Sequence, residues 1–411
     1  MDMFENTHQV LAEYEERFMQ ARLNRPVREP WKQKDREEIF QTVKEVLGVK
    51  EEYIPTIREE VVKELKFDGY TVQILKFESW DGVYGAATRY IPDTEGKKPA
   101  ILLCNGHGPN SKYNDIYQAL ARRLVRQGCC VVCPDSIGQG ERMFMGHMKA
   151  AAPFYCGLSL QGLIVMESMA WVERIAQLSY VDTDRIGACG NSGGGILTLF
   201  LSALSSKLAA VASTGYPNEF YAIAEKEREH CLCNMLPHIL PKLDMWEIYS
   251  LFAPKPLFLA QGNHDFYFPV ELFWRNARKV IRTYKYMNAG DKITCRAIET
   301  SRHPWNIDFR YEISKFFEKT FGIKEAEVLE EDMLDMIEPG VYKVEIPQSA
   351  ITVNRLAQNL TGITAPENLK LCDIFKPQYK GKPISPDFIN SPILPGRGDA
   401  MQTLAQMECF L

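Results

Sequence analysis

From about residue 65 the apolar positions fall into short blocks whose period changes along the chain. Residues 72–77 and 84–90 alternate in the two-residue rhythm of strands with one buried face. Continuous apolar runs follow at 99–104, 129–134, 185–190 and 208–213, each of strand length. The segments 113–127, 158–178 and 194–204 between them have helical length and spacing. Two later runs, 255–262 and 292–299, read as further strands, the second as the last of the set. Strands buried on both faces read as unbroken apolar runs, and regular exchange with helices predicts a mostly parallel central sheet flanked by helices. An α/β fold is therefore expected over residues 65–323.

The flanks have a different texture. Residues 1–64 are charge-rich, with Phe4, Leu11, Tyr14, Phe18 and Leu23, then Ile39, Val43, Val46 and Leu47, recurring at roughly helical spacing, and with Pro26, Pro30 and Pro55 as breaks. They read as an N-terminal helical extension. Helices packed on the core are the simpler reading. An oligomerisation surface or an active-site cap is the sharper one, so a homo-oligomer stays open. Residues 215–253 form an insert without clean period, rich in aromatic and apolar side chains (Tyr216, Phe220, Tyr221, Met235, Trp246, Tyr249), which could wall a pocket. Residues 324–411 read as a C-terminal appendage. An acidic helix is expected over 325–335, an extended stretch over 344–351, a short helix over 353–360, and then a proline-rich stretch. The apolar helical segment 401–411 reads as the opening of a further unit, or as a docked extension.

Chemistry enters at Gly190-Asn191-Ser192-Gly193-Gly194, between an apolar strand and an apolar helix. Strand, sharp turn and helix with serine at the apex form the arrangement that holds a nucleophile clear of a sheet, at a helix N-terminus whose N–H groups face the attacked carbonyl. A glycine turn with a solvent-facing serine is the plainer reading. The sequence after the later strands favours the nucleophile. Asp265 follows the strand 255–262, and His303 follows the strand 292–299, giving the chain order serine, acid, histidine. Both then lie past C-terminal strand ends, where open α/β sheets bind ligands. His264 comes too early for the base. Glu299 is the rival acid but stands only four residues from His303.

An oxyanion hole needs two backbone N–H groups. Gly193, after the serine, is one donor. The loop Asn105-Gly106-His107-Gly108-Pro109 after strand 99–104 supplies the other; Pro109 has no N–H, and His107 is preferred to Gly108. Gly108, Gln139, Arg142 and Trp305, on the loops around these positions, are the candidate substrate contacts. Arg142 could bind an anionic group or pair with a glutamate to pin its loop.

Four segments carry a resemblance to a known family: Asn105-Gly106-His107-Gly108, Pro134-Asp135-Ser136-Ile137-Gly138-Gln139-Gly140-Glu141-Arg142, Gly190-Asn191-Ser192-Gly193-Gly194-Gly195, and Ala253-Pro254-Lys255-Pro256 with Asp265-Phe266-Tyr267-Phe268-Pro269. Over roughly residues 67–322 the chain resembles the α/β-hydrolase superfamily, and within it the acetyl xylan esterase and dienelactone hydrolase-like group. The resemblance implies the α/β-hydrolase fold, a catalytic triad and serine esterase chemistry without a metal or other cofactor, acting on a small or carbohydrate ester. The chain departs from the group's pattern at Ile137 before Gly138-Gln139, at Gly193 where Gly-x-Ser-Gln-Gly has glutamine, and at Pro304 after the histidine. A serine peptidase of the oligopeptidase type uses the same triad but usually carries a propeller, and no blade repeat is visible. A non-catalytic hydrolase-fold binding protein would be expected to have lost a triad member.

Composition narrows the rest. The chain is 45% hydrophobic and 25% charged with net charge −5, the profile of a globular protein with no basic stripe for nucleic acid. No apolar run reaches membrane-spanning length, and no secretory signal is visible. Several of the eleven cysteines lie in apolar strands, as reduced thiols do in a cytoplasmic protein. His230-Cys231-Leu232-Cys233 offers too few ligands for a closed metal site, and no second cysteine pair or paired histidine set accompanies it in sequence, so no metal is expected.

Overall fold

In the computed structural model nine strands join into one sheet: β1 (Arg58–Phe67), β2 (Tyr70–Glu78), β3 (Tyr84–Pro92), β4 (Lys98–Cys104), β5 (Cys130–Pro134), β6 (Val181–Asn191), β7 (Ala210–Thr214), β8 (Leu257–Gly262) and β9 (Ile293–Ile298). The structure describes residues 3–28, 31–225, 231–300, 303, 306–325, 336–377 and 400–411. The order across the sheet is β1-β2-β3-β5-β4-β6-β7-β8-β9. The first three strands and the β3–β5 junction are antiparallel, and everything from β5 to β9 is parallel. Every residue of β4, β7 and β8 is buried. That is why the sequence shows them as unbroken apolar runs.

The helices are α1 (Met3–Leu23), α2 (Gln33–Leu47), α3 (Asp115–Arg126), α4 (Ala151–Tyr155), α5 (Leu160–Ala176), α6 (Gly193–Leu204), α7 (Phe220–Glu225), α8 (Met245–Ser250), α9 (Val270–Tyr286), α10 (Ile307–Phe321), α11 (Val353–Thr361), α12 (Leu371–Ile374) and α13 (Ala400–Cys409). Their starts are set locally. The side chains of Asn114, Ser159 and Asn306 accept backbone N–H bonds at the first turns of α3, α5 and α10, which carry N–H groups that lack a helical partner. The apolar stripes of α3 and α10 pack on one face of the sheet, and those of α5, α6 and α9 on the other, giving two cores. Among the described residues no helix is long and apolar enough to cross a membrane.

One expectation for the flanks is corrected. The helical extension does not run to residue 64, because 58–67 form β1, paired with β2 from Arg58↔Glu78 to Phe67↔Tyr70. No residue of this edge strand is buried, so its sequence carries no apolar alternation to read. The segment after 400 forms a helix docked on the main core, the second of its two readings. Leu404, Met407 and Phe410 are buried in the main core, and the Cys409 and Phe410 carbonyls accept N–H bonds from His238 and Leu240. Tyr14 and Arg17 of α1 bond the Glu408 carboxylate, at 3.0 Å and at 2.9 and 2.6 Å. Phe410→Ala is expected to cost about 3 kcal/mol in urea unfolding, as for other buried phenylalanines. A change under 0.5 kcal/mol would mean the tail is not part of the core. The acidic helix expected over 325–335 and most of the proline-rich stretch lie outside the described residues.

Candidate active site

Ser192 joins β6 to α6 with φ 58° and ψ −118°, a backbone conformation that a non-glycine residue adopts only when its surroundings impose it. Two glycines allow the turn. A Cβ on Gly190 would lie 2.4 Å from the Gly194 carbonyl oxygen, and one on Gly194 would lie 2.0 Å from that of Cys104. The Ser192 N–H donates to the Thr214 carbonyl at 3.1 Å, and its own carbonyl accepts from Gly195 and Ile196, which begins α6. The side chain stands at a helix N-terminus, above the C-terminal edge of the sheet.

Asp265 follows β8 and His303 follows β9. His303 Nδ1 lies 2.6 Å from Asp265 Oδ2. The carboxylate is fixed on both oxygens: Oδ2 also accepts from Gln261 Nε2 at 2.8 Å, and Oδ1 accepts the N–H groups of Tyr267 and Phe268 at 2.9 and 3.2 Å. The Tyr267 and Phe268 rings pack against the imidazole at 5.4 and 5.3 Å. His303 Nε2 is buried and has no hydrogen-bond partner among the described residues, so the serine–histidine contact is open in this geometry. Such contacts often tighten only with substrate. The rivals lie elsewhere. Glu299 and His264 pair with each other at 3.4 Å, with 74% and 67% of their side chains exposed.

The oxyanion loop is held at either side of His107. The Gly106 N–H donates to the Tyr117 hydroxyl at 2.6 Å, and the Gly108 N–H donates to Gln139 Oε1 at 2.9 Å. The Gly108 N–H is thus held by Gln139, a residue of the cleft. The His107 ring lies over Gly193, where a Cβ would come within 2.6 Å of His107 Cε1. The space that a glutamine at 193 would need is taken by this imidazole.

A cleft of about 750 Å³ opens over Ser192, Gly193 and His303. Gln139 lines it, with Met143, Phe144 and Met148 on one side and Tyr216 and Tyr267 on the other. Arg142 does not reach it. The guanidinium is fully buried, bonds both Glu167 oxygens at 2.7 and 2.9 Å and the Asp135 carbonyl at 3.0 Å, and lies over the Phe77 ring. Arg142 is thus a pin for the loop after β5 and not a substrate contact. Its glutamate is Glu167 on α5, while Glu141 bonds Lys112 at 2.9 Å. Of the aromatic residues in the insert, Tyr216 lines the cleft, whereas Phe220, Trp246 and Tyr249 are buried in the core. Trp305 and His230 lie outside the described residues.

One cluster was illegible in the sequence. His107, His147, Cys231 and Cys233 bring four ligand atoms within 4.8 Å of one another, the first three lining the same cleft and Cys233 buried beside them. The absence of a second pair in sequence does not hold in space, because the two histidines come from the loops after β4 and β5. Burial by itself would raise the Cys231 thiol. The Cys233 hydrogen bond and the facing His107 and His147 outweigh it and hold the thiol well below its ordinary value. The Cys231-Leu232-Cys233 pair was legible, but the two histidines that complete the set stand far off in sequence, and only the fold brings them to it.

Comparison with known proteins agrees with this architecture. Residues 57–225 match the acetyl xylan esterase family model. The YtaP protein of Bacillus subtilis (strain 168), a hydrolase by name, is 24% identical over 241 residues, covering 55% of this chain and 80% of that one. Among solved structures, methylesterase BT1017 superposes with TM-score 0.62 at 24% identity, covering 79% of this chain and 72% of its own. A glucuronoyl esterase from Solibacter usitatus gives 0.55 at 15%, covering 71% and 93%. Acetyl xylan esterase 1 from Thermoanaerobacterium sp. JW/SL YS485 gives 0.50 at 19%, covering 70% and 94%. The chain is an α/β-hydrolase that matches the acetyl xylan esterase family over residues 57–225, and it is a carboxylic ester hydrolase.

Proposed function

We propose that the protein removes short acyl groups, acetyl first, from a carbohydrate or other small ester through a Ser192 acyl-enzyme. The observation that carries the reading is the 2.6 Å Asp265–His303 bond beside Ser192 in one cleft. In this mechanism Ser192 Oγ attacks the ester carbonyl while His303 Nε2 accepts its proton. Asp265 keeps the other ring nitrogen protonated and stabilises the imidazolium. The N–H groups of Gly193 and His107 receive the charge on the carbonyl oxygen. His303 then protonates the leaving alcohol, and water, activated by the same imidazole, releases the acid and restores the serine. The apolar rim of Met143, Phe144 and Met148 with Tyr267 suits the face of a sugar ring. The family match over 57–225 supports the acetyl group as the acyl part. The eleven free cysteines accord with a cytoplasmic setting.

The test is hydrolysis of 4-nitrophenyl acetate, butyrate and octanoate, followed by acetylated xylo-oligosaccharides and methyl esters of sugar acids. Turnover is expected to fall about tenfold or more from acetate to octanoate, with acetate released from the oligosaccharide. Activity that rises with acyl length would overturn the short-acyl assignment. Methanol from the methyl esters with no acetate from the sugar acetates would move the assignment to the opposite ester polarity. Cleavage of peptide anilides alone would restore the peptidase reading.

A further inference from the structure

The loops after β4, β5 and β7 meet at the four side chains beside Gly193. His107 Nε2 lies 3.4 Å from Cys231 Sγ and 3.3 Å from Cys233 Sγ, and the two sulfurs are 2.8 Å apart. A zinc ion held at about 2.0–2.1 Å by nitrogen and about 2.3 Å by sulfur spans tetrahedral N···S edges of about 3.5 Å. Both N···S separations match that edge within a few tenths of an ångström. The sulfur pair would open by about 1 Å to reach its own edge.

The surroundings point to a cation independently of these distances. His147 Nδ1 lies 2.9 Å from the Ile137 carbonyl oxygen. A carbonyl only accepts, so Nδ1 carries the hydrogen and Nε2 presents a lone pair. That Nε2 is buried with no hydrogen-bond partner among the described residues. Metal-binding histidines are oriented in this way, through a hydrogen bond from the other ring nitrogen. Gly138 lets the His147 backbone come close, since a Cβ there would lie 2.4 Å from His147 Cβ. Asn234 completes the shell. Its Oδ1 accepts from the Tyr216 hydroxyl at 3.0 Å, which turns Nδ2 toward Cys231 Sγ at 3.6 Å and Cys233 Sγ at 3.9 Å. An amide held with its N–H toward two sulfurs suits thiolates.

We infer that His107, His147, Cys231 and Cys233 bind one divalent cation of the zinc class in the wall of the catalytic cleft. Two sulfurs and two imidazoles in a tetrahedral set select zinc over the oxygen-seeking cations. With four protein ligands the site is closed, so the ion joins three loops that meet nowhere else in sequence. His107 is also the residue whose N–H the proposed mechanism uses for the oxyanion. On that reading the ion is a positioning element for the oxyanion loop; binding itself does not depend on the reading.

The experiment uses the full chain, free of affinity tag and purified with reductant but without chelator. Elemental analysis is expected to give about one zinc per chain after equilibration with one equivalent. Replacement by cobalt should give the intense visible bands of a tetrahedral thiolate site. Cys233→Ser and His147→Ala should each lower zinc content below about 0.1 per chain, and Asn234→Ala should weaken affinity about 10–100-fold. Far-ultraviolet circular dichroism checks that each variant folds. The wild-type cobalt spectrum keeps the proposal falsifiable where a variant does not. Wild-type protein that takes up no zinc, or a Cys231→Ser/Cys233→Ser variant that keeps it, overturns the site. So does a Cys231–Cys233 disulfide in the chain purified with reductant, read as nine rather than eleven free thiols on titration after unfolding with the reductant removed. Zinc bound without activity on the short-acyl esters would leave the site standing and remove the proposed function. Activity without zinc uptake would do the reverse.

Discussion

Ser192→Ala is expected to lower ester turnover about a thousandfold or more, with folding unchanged. The hydroxyl is the only group the substitution removes, and the backbone at φ 58° is held by neighbours rather than by the side chain: the Ser192 N–H is bonded to Thr214, and Gly190 and Gly194 are packed against backbone. Asp265→Asn should cost a similar factor for a different reason. Oδ2 accepts from both Gln261 and His303. An amide cannot accept at that position without turning its NH2 toward the Tyr267 and Phe268 N–H groups, so His303 loses its orienting acceptor and takes the wrong tautomer. Steady-state kinetics on 4-nitrophenyl acetate with matched circular dichroism checks both. Full activity in Ser192→Ala would remove the nucleophile assignment.

Arg142→Met is expected to destabilise the fold by about 3–5 kcal/mol, the cost of leaving one member of a buried ion pair alone. Glu167 would keep its charge among apolar neighbours, with the Ser79 hydroxyl at 2.6 Å as a hydrogen-bond partner. Asp135 would lose a donor to its carbonyl, and the loop carrying Gln139 would lose its pin. The double variant Arg142→Met/Glu167→Leu should recover much of the loss, because apolar groups of similar size can replace a buried pair. Urea unfolding measures both. KM for acetyl esters should change little in folded Arg142→Met. A raised KM with unchanged stability would instead return Arg142 to the substrate.

Arg142 shows where sequence reading stops. The residue stands next to Glu141 on a loop expected at the pocket, and its neighbours suggest a local pair. The partner chosen by the fold is Glu167, presented by α5 as that helix crosses the sheet. The opposite holds for Asp265 and His303. Each follows a strand whose apolar run marks its end, and parallel strands deliver their C-terminal ends to one edge, so strand order alone brings the two residues into the same neighbourhood.

The sequence by itself determined the parallel core, because strands buried on both faces must be apolar throughout, and it determined the nucleophile turn, because only glycines fit where backbone meets backbone. It also placed the candidate acid Asp265 and candidate base His303 after the last two strands, because position along the chain is read directly. Only the tertiary structure decided the rest. Strand β1 has no fully buried residue and leaves no clear pattern. The docking of α13 depends on a surface made by α1 and the insert. The cluster of His107, His147, Cys231 and Cys233 joins residues up to 126 positions apart. Burial leaves a periodic trace along the chain, whereas convergence of loops is a property of their end points in space, and no local spacing records it.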